Sequence, residues 1–422
     1  MKKINLFYLF YLVIMGLFFH GEILHGKILL SSIILYLLAQ IFYYRKNQIF
    51  VLLIIYSLTF FIYLIPYYFG DTYYAIQHNL ITVSNTNKLI FIQSLFTCFL
   101  FLFLKIPQNW KIKNNIKSNK ENRKIFYFCF FIMIYICFFK LKGATIFFSK
   151  YGDSSVNNSF LEYYLIFFII AYRYIKNKKL ELSLCLFSLF YSFRLLLYGL
   201  RLAALFQLIL IFVFYFENKI KTKWIVTGSI FIFVLFSFLA FYRVGVSTNN
   251  LSQVLGVVEK DGIKWLQTTQ GDVWMSSSMY LDLKLNGIFD TTARLKSIVG
   301  FWLSMVMPSK YVFTEAYFRN YAQQFYVQKV GGGGITAIYL YMWYGYLGIF
   351  LFARFLSKNI NKAYQNRGSI YGVFLMVIFV RWYSYNILIV FKMGFYLILL
   401  DFILKKLFSR SKIKKIGVYE NK

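Results

Sequence analysis

The sequence predicts an all-α, polytopic integral membrane protein with about twelve transmembrane helices and one large periplasmic or extracellular loop. Hydrophobic residues make up 59% of the 422 residues, and the mean hydropathy is +0.59. These residues form blocks of about 20, the length that a helix needs to cross a bilayer. A transmembrane β-barrel would instead show alternating segments of about 10 residues, which the sequence lacks.

The positive charges predict the orientation of the chain. The formal net charge is +32, and the lysines and arginines cluster in short segments between the apolar blocks. Cytoplasmic loops show this pattern under the positive-inside rule, so no nucleic-acid partner is needed to explain the charge. The N-terminal run has no small-x-small cleavage site, and we predict a retained first helix. The predicted inner segments are Arg45 with Lys46, 111–124, 176–179, 217–223, 353–367 and the tail from residue 405.

The apolar blocks define the domain organisation. The predicted spans are 4–19, 28–44, 48–69, 88–106, 125–139, 160–175, 180–198, 200–216, 224–242, 334–353, 369–385 and 387–404. The resulting division is helices one to nine in 1–242, the outer loop in 243–333, helices ten to twelve in 334–404 and a basic cytoplasmic tail in 405–422. Both termini are then cytoplasmic.

The apolar run 180–216 is too long for one span, because a single helix of that length would measure about 55 Å against a core of about 30 Å. Both flanks of the run are basic and are predicted to lie on the same side. We therefore predict a hairpin with its tip near Gly199. Arg201 would begin the returning helix at the outer surface.

Three segments of the outer loop are predicted to be short amphipathic helices lying against the membrane face: 251–267, 292–307 and 314–328. Pro308 ends the second, and Thr314 with Glu315 starts the third. The tryptophans and tyrosines of these segments fit either sugar stacking or an ordinary membrane interface. The segment GGGG (331–334) lacks the ending of a phosphate-binding loop, and we interpret it as a hinge where the loop returns to the membrane.

Arg201 lies in an apolar stretch and has two interpretations. An arginine at a helix end can extend to the lipid headgroups at small cost. Alternatively, its planar guanidinium binds phosphate oxygens in pairs at the outer face. Arg194 lies deeper on the preceding helix and favours anion binding. Arg381 and Lys392 flank the last outer turn, where snorkelling and a lipid-phosphate site both explain them.

The outer loop supplies general bases, which a hydroxyl needs when it attacks a glycosidic or phosphate-linked carbon. Its acids are Glu259, Asp261, Asp272, Asp282, Asp290 and Glu315. The sequence does not choose among them; Asp272 and Glu315, with Arg201, are our catalytic candidates. Glu315 and Arg319 also fit a simple pair along a helix. The candidate substrate-binding residues are Arg194, Arg201, Arg243, Arg319, Arg381 and Lys392.

Several chemistries are not expected from the sequence. All four cysteines lie within apolar runs, so neither a disulfide framework nor a zinc site is predicted. We predict no metal and no cofactor. No histidine lies in the large loop. We also expect no carboxylate to interrupt a span, which argues against an ordinary proton-coupled transporter.

The layout resembles the O-antigen polymerase (Wzy) family of bacterial polysaccharide assembly. The matching features are about twelve spans, the segment YGLR (198–201) at a tight outer hairpin, and one large outer loop late in the chain. After that loop, GGGGITAIYLYMWYGYLGIF (331–350) is similar to the glycine-rich helix by which such polymerases return into the membrane. Arg381 in the last outer hairpin also fits. The resemblance covers most of the chain through short motifs.

The resemblance implies a metal-independent glycosyltransferase at the outer face of the bacterial inner membrane. A growing glycan would leave its undecaprenyl pyrophosphate carrier and join the next lipid-linked repeat unit. The guanidinium of Arg201 would stabilise the negative charge that develops on the departing pyrophosphate. The implied partners are the lipid-linked oligosaccharide, membrane lipids, a chain-length regulator and a flippase.

Three other classes share parts of this layout. O-antigen ligases carry a functional histidine in the large loop. A lipid-linked oligosaccharide flippase has short outer loops throughout. A polyprenyl-phosphate-dependent glycosyltransferase has acids in its first outer loop.

Overall fold

The structure is a computed structural model, and it is predominantly helical. It describes residues 2–19, 21–70, 73–74, 82–105, 116–118, 121–140, 161–198, 200–217, 219–232, 257–260, 263–266, 269–307, 311–326, 333–365, 369–385 and 387–410. Six helices in this part of the chain are long and apolar enough to cross a membrane: Ile23–Tyr44, Gln48–Phe69, Val83–Phe103, Lys178–Leu197, Thr336–Tyr364 and Ile387–Phe408. The chain is therefore a multi-pass helical membrane protein.

The helices of the first part of the chain are α1 (Lys2–Leu17), α2 (Ile23–Tyr44), α3 (Gln48–Ile62), α4 (Ile65–Phe69), α5 (Val83–Phe103), α6 (Arg123–Phe139), α7 (Tyr164–Tyr174), α8 (Lys178–Leu197) and α9 (Arg201–Ile211). Those of the second part are α10 (Thr269–Leu285), α11 (Thr291–Leu303), α12 (Phe318–Ala322), α13 (Thr336–Tyr364), α14 (Ile370–Val377), α15 (Phe379–Tyr383) and α16 (Ile387–Arg410). The helix α9 continues as a π-helix over Phe212–Phe216. Six predicted spans coincide with the helices of membrane-spanning length. The others contain shorter helices or, for 224–242, are described only as far as residue 232, so the count of twelve stays a prediction.

Hydrogen bonds and salt bridges gather the predicted inner segments at one end of the structure, here called the basic end. Lys117 forms a 2.7 Å salt bridge with Glu181, and the Tyr215 hydroxyl donates a hydrogen bond to the Glu181 carbonyl. The Thr222 hydroxyl donates to the carbonyl of Arg45. These residues lie in or beside four different basic segments, so these four segments share one end of the bundle.

Segments predicted to lie outside meet at the opposite end, here called the loop end. The amide of Asn87 donates a 2.8 Å hydrogen bond to the carbonyl of Glu22, which joins the first and second outer connections. The indole of Trp274 in α10 donates a 2.9 Å bond to the carbonyl of Phe60 in α3. The large loop is thus anchored on the helical bundle.

The predicted hairpin over 180–216 is confirmed. The helix α8 ends at Leu197 and α9 begins at Arg201, with Leu200 as its N-cap. The amide of Leu200 donates to the carbonyl of Leu195, which closes the end of α8. Because the end of the π-helix contacts the start of α8 through Tyr215, the two helices run in opposite directions.

The helices α5 and α13 lie side by side and run in the same direction. At the loop end the Lys88 ammonium lies 5.7 Å from the centroid of the Tyr341 ring. At the basic end the Asn361 amide donates a 3.0 Å hydrogen bond to the Phe103 carbonyl. The fourth and tenth predicted spans both run inwards, so this parallel arrangement agrees with the prediction.

Gly333 and Gly334 lie where the large loop joins α13. A Cβ atom on Gly333 would overlap the carbonyl oxygen of Tyr385, and one on Gly334 would lie 2.8 Å from a ring carbon of Tyr280. The Tyr385 amide donates a 2.9 Å hydrogen bond to the Gly334 carbonyl, and Ile335 forms a β-bridge with Ser384. Glycine at these two positions allows the backbone of the loop to pack closely against Tyr385 and Tyr280. The structure therefore gives no evidence for the predicted hinge at Gly333 and Gly334.

The prediction of a helix over 251–267 is wrong. This segment contains the strands β2 (Val257–Lys260) and β3 (Ile263–Leu266), and β3 also pairs in parallel with β1 (Tyr73–Tyr74). Lys260 pairs with Ile263, so the two-residue connection is Asp-Gly, which strongly favours a hairpin between β-branched residues. The sheet joins the large loop to the first half of the chain.

The helix α10 was not predicted, and it does not lie on a membrane face. Residues 273–281 are all buried, because α10 packs between α5 and α13. In contrast, α11 is amphipathic as predicted: Ser297 is buried, whereas Leu295 and Trp302 are exposed. Residues 308–310 lie outside the described residues. In place of one helix over 314–328, the described residues form a 3₁₀ turn over Thr314–Ala316 and the short helix α12.

The orientation of the bundle is open to a direct test. A reporter that is active only outside the cytoplasm should work when fused near Gly262, because the adjoining strands belong to the loop end. The same reporter should be silent near Lys117, which lies at the basic end. Reporter activity at Lys117 would contradict the predicted orientation.

Candidate functional site

The strongest candidate site is a buried ion pair near the loop end. Arg381, at the end of α15, donates a hydrogen bond from its guanidinium to the carboxylate of Glu162, just before α7. The two side chains are only 13% and 3% exposed. Isolated charges are too costly to bury, so each of these residues depends on the other. The pair joins segments that are 219 residues apart.

The guanidinium of Arg381 is enclosed by aromatic rings. Its central carbon lies 5.7 Å from the ring centroid of Phe206 and 5.8 Å from that of Tyr385. Both distances allow cation–π attraction. The Nε of Arg381 is buried and donates no hydrogen bond to the described residues. Arginine has five N–H donors, so the site retains capacity to bind an anion beside Glu162.

Tyr383 and Ser384, which follow Arg381 in the chain, contact hydroxyl groups of α5 and α3. The Tyr56 hydroxyl lies 2.8 Å from the hydroxyl of Ser384, and the Tyr383 hydroxyl lies 3.3 Å from that of Thr97. Tyr385 follows with φ 78°, a backbone conformation that non-glycine residues rarely adopt. Such strain persists only where the surroundings enforce it, here through the contact with Gly334.

Asp272 lies in the first turn of α10, close to this region. Burial raises the pKa of Asp272 from 3.8 to about 6. Trp274 holds the same turn against Phe60, whose ring lies 5.3 Å from that of Tyr56. A carboxylate with a pKa near the working pH is suited to general base catalysis. Of the predicted catalytic acids, Asp272 has the pKa suited to this role, and described contacts join its turn to Tyr56.

Arg201 and Arg194 lie on either side of the α8–α9 turn. Arg201 is half-buried in the first turn of α9. Phe206 follows five residues later and contacts Arg381, so Arg201 lies about 7.5 Å further towards the loop end. Arg194 lies in the last turn of α8, 5.0 Å from the ring centroid of Phe138. Arg201 thus begins the helix whose Phe206 contacts Arg381, and Arg194 faces α6.

Two other predicted site residues have structural partners of their own. Glu315 forms a 3.6 Å salt bridge with Lys296 of α11. The Lys392 ammonium donates a 3.0 Å hydrogen bond to the carbonyl of Ser304, which caps the C-terminus of α11. No described hydrogen bond or salt bridge joins either residue to Arg381. The side chain of Arg319 and the whole of Arg243 lie outside the described residues.

The expectation that no span carries a carboxylate is wrong. Glu162, Glu181 and Asp401 all lie within predicted spans. Glu181 pairs with Lys117, and Asp401 lies 3.5 Å from Arg173, both at the basic end. Glu162 alone of these three pairs at the loop end. The sequence could have identified Glu162 by its position in an apolar stretch, because an intramembrane carboxylate indicates a candidate functional site.

Comparison of the chain with protein-family models, with curated proteins and with solved structures gives no significant match. The fold and composition define the class, a multi-pass helical membrane protein. A more specific assignment rests on the geometry of the site.

Removing one partner of the Glu162–Arg381 pair should destabilise the protein. Arg381→Met or Glu162→Gln leaves one buried charge unpaired, so we expect each to lower the free energy of unfolding by about 3 kcal/mol or more. The double variant lacks both charges and should regain most of this loss. Thermal unfolding of the purified protein in detergent, followed by tryptophan fluorescence, measures the effect. Additive losses in the double variant would contradict the pairing.

Asp272 should make stability depend on pH. Its pKa is raised in the folded state, so its favourable contribution is present below about pH 4 and is lost as the pH rises through about 6. Asp272→Asn lacks this loss and should gain stability relative to the native chain between about pH 4 and 7, by at most about 3 kcal/mol. Unfolding temperatures of both proteins across this range test the prediction. A constant difference between them would refute it.

Proposed function

We propose that the protein polymerises lipid-linked oligosaccharide repeat units at the outer face of the bacterial inner membrane. It would belong to the O-antigen polymerase class, with both termini in the cytoplasm. The observation that carries the proposal is the Arg381 region: a buried guanidinium with spare donors, at the end of the bundle to which the large loop is anchored. A lipid pyrophosphate presents its charge at this depth of a bilayer.

The proposed reaction is a glycosyl transfer without a metal or cofactor. A hydroxyl at the non-reducing end of the acceptor attacks the anomeric carbon of the growing glycan. The bond between that carbon and the pyrophosphate oxygen breaks, and undecaprenyl pyrophosphate leaves with the electron pair. Asp272, which is ionised above about pH 6, takes the hydroxyl proton. Arg381 and Arg201 stabilise the charge that develops on the leaving pyrophosphate.

Glu162 has a positioning role in this proposal. It fixes the guanidinium through one edge and leaves the Nε free of described partners. Arginine paired in this way offers a planar donor array to phosphate oxygens, which a lysine does not. The aromatic rings of Phe206 and Tyr385 exclude water around it and so strengthen its electrostatic interactions.

A flippase for the same lipid-linked oligosaccharide is the second candidate. The observation that favours it is the intramembrane carboxylate of Glu162, since such residues act as proton relays in transporters. An O-antigen ligase is the third, although the large loop contains no histidine.

One experiment separates these functions. Deleting the gene and examining surface glycolipids on a gel should collapse the ladder to core plus one repeat unit, because a polymerase mutant still makes, flips and attaches single units. Loss of a ligase would leave the core bare, with polymer on the carrier. Loss of a flippase would remove even the single unit. In a host without lipopolysaccharide, the expected result is loss of capsule polymer. An intact ladder, with no second polymerase present, rejects the proposal.

Complementation of the deletion strain identifies the cations that take part. Arg201→Ala should leave the ladder collapsed at normal protein levels, and Arg201→Lys should restore it only in part, because an ammonium makes no bidentate contact. Lys296→Gln is the matched control, since Lys296 pairs with Glu315 in the loop. It should restore the full ladder. A full ladder with Arg201→Ala would favour the snorkelling interpretation.

A further inference from the structure

Two lysines outside the Arg381 region lie against one aromatic ring at the loop end, and the charge of Arg294 acts on one of them. The Lys284 ammonium, at the end of α10, lies 4.2 Å from the centroid of the Tyr341 ring. Lys88, in the first turns of α5, lies 5.7 Å from the same centroid. Burial lowers the pKa of Lys284, and the charges of Lys88 and Arg294 lower it further. Three like charges from α5, α10 and α11 therefore act on one another.

No described acid neutralises this cluster by a salt bridge. Asp282 accepts hydrogen bonds from the Tyr326 hydroxyl at 2.6 Å and from the Asn286 amide at 3.0 Å. Asp290 caps α11 by accepting a 2.7 Å bond from the Ala293 amide. Both carboxylates are hydrogen-bonded to neutral groups, and neither forms a described salt bridge with the cluster. The Lys284 ammonium donates to the Tyr341 carbonyl, which leaves two of its three donors for another group.

Exposed apolar residues follow Tyr341 along α13, on both sides of a kink at Gly345 (φ 62°). Tyr344, Leu347 and Leu351 of α13 are 50%, 62% and 52% exposed. On a helix that is long enough to cross a membrane, such residues face the lipid chains. Positive charge therefore stands at the loop end of an apolar helix surface. This is the order in which a phospholipid presents its phosphate and its hydrocarbon.

We propose that Lys88, Lys284 and Arg294 bind the phosphate of a membrane lipid whose hydrocarbon chain lies along the exposed surface of α13. A phosphate accepts hydrogen bonds from several cations at once and removes their mutual repulsion. The site is built from residues other than Arg201 and Arg381, and its occupation does not depend on the polymerase reaction. It is a lipid site at the flank of the large loop.

The proposal predicts opposite effects on binding and on stability. Lys88→Gln and Arg294→Gln should each weaken the binding of dioctanoyl phosphatidic acid about tenfold, since each removes a charged contact. Without lipid, Lys88→Gln should raise the unfolding temperature, because one of three repelling charges is gone. Native mass spectrometry of the protein in a neutral detergent measures the binding. A variant that loses stability and binding together would show a structural role and overturn the proposal.

Matched probes and a matched variant complete the test. Dioctanoylglycerol, which has the same chains but no phosphate, should not compete for the site. Inorganic phosphate should compete only weakly; tight binding of the free ion would overturn the assignment to a lipid. Lys296→Gln changes a cation on the same helix as Arg294 that is paired with Glu315. It should bind phosphatidic acid normally. An equal loss in this control would show general surface charge and refute the site.

Discussion

The buried pair of Glu162 and Arg381 is the interaction on which the loop end depends. Neither charge is stable alone in an apolar bundle, so α7 and α15 must meet at one relative position. Ser384 and Tyr385 lie three and four residues after Arg381, and they pair with the backbone of the large loop at Ile335 and Gly334. One electrostatic requirement thereby sets where the loop joins the membrane helices.

Basic side chains within or beside apolar stretches have different physical roles in this chain. Lys392 neutralises a helix terminus by binding the Ser304 carbonyl, whereas Arg381 is balanced by a carboxylate. Lys284 faces other cations and has a lowered pKa. In the sequence, all three are single positive residues within or beside apolar stretches. Only the partners distinguish a cap, an ion pair and an anion site.

The helices and the α8–α9 hairpin could be predicted from the sequence, because hydrophobic length and flanking charge are local properties. The basic end could be predicted for the same reason. The position of α10 could not, since its burial depends on α5 and α13, which are distant in the chain. The Asp-Gly dipeptide at 261–262 predicts the β2–β3 hairpin locally. The segment was nevertheless predicted to be a helix, because its amphipathic pattern was given more weight.

The candidate site shows the same division. Arg381 and Asp272 were recognisable by residue type, and the anomalous position of Glu162 in an apolar span was also visible. Their partners were not, because Glu162 and Arg381 are joined only by tertiary packing. Lys88, Lys284 and Arg294 come from three segments, so no window of sequence contains the cluster. Glu315 forms a salt bridge with Lys296 of α11, a partner from another segment that its own sequence window does not contain.

The polar side of α5 has a consequence for biosynthesis. Gln93 and Thr97 are fully buried, and Thr97 meets Tyr383 from a segment made almost 300 residues later. While the ribosome is still translating the intervening chain, Thr97 bonds only to the Gln93 carbonyl of its own helix, and the Gln93 amide group faces lipid or a neighbouring helix. Nascent α5 therefore keeps an unsatisfied polar group in the membrane until the last helices insert. This intermediate is a substrate for insertion chaperones and for proteolytic quality control.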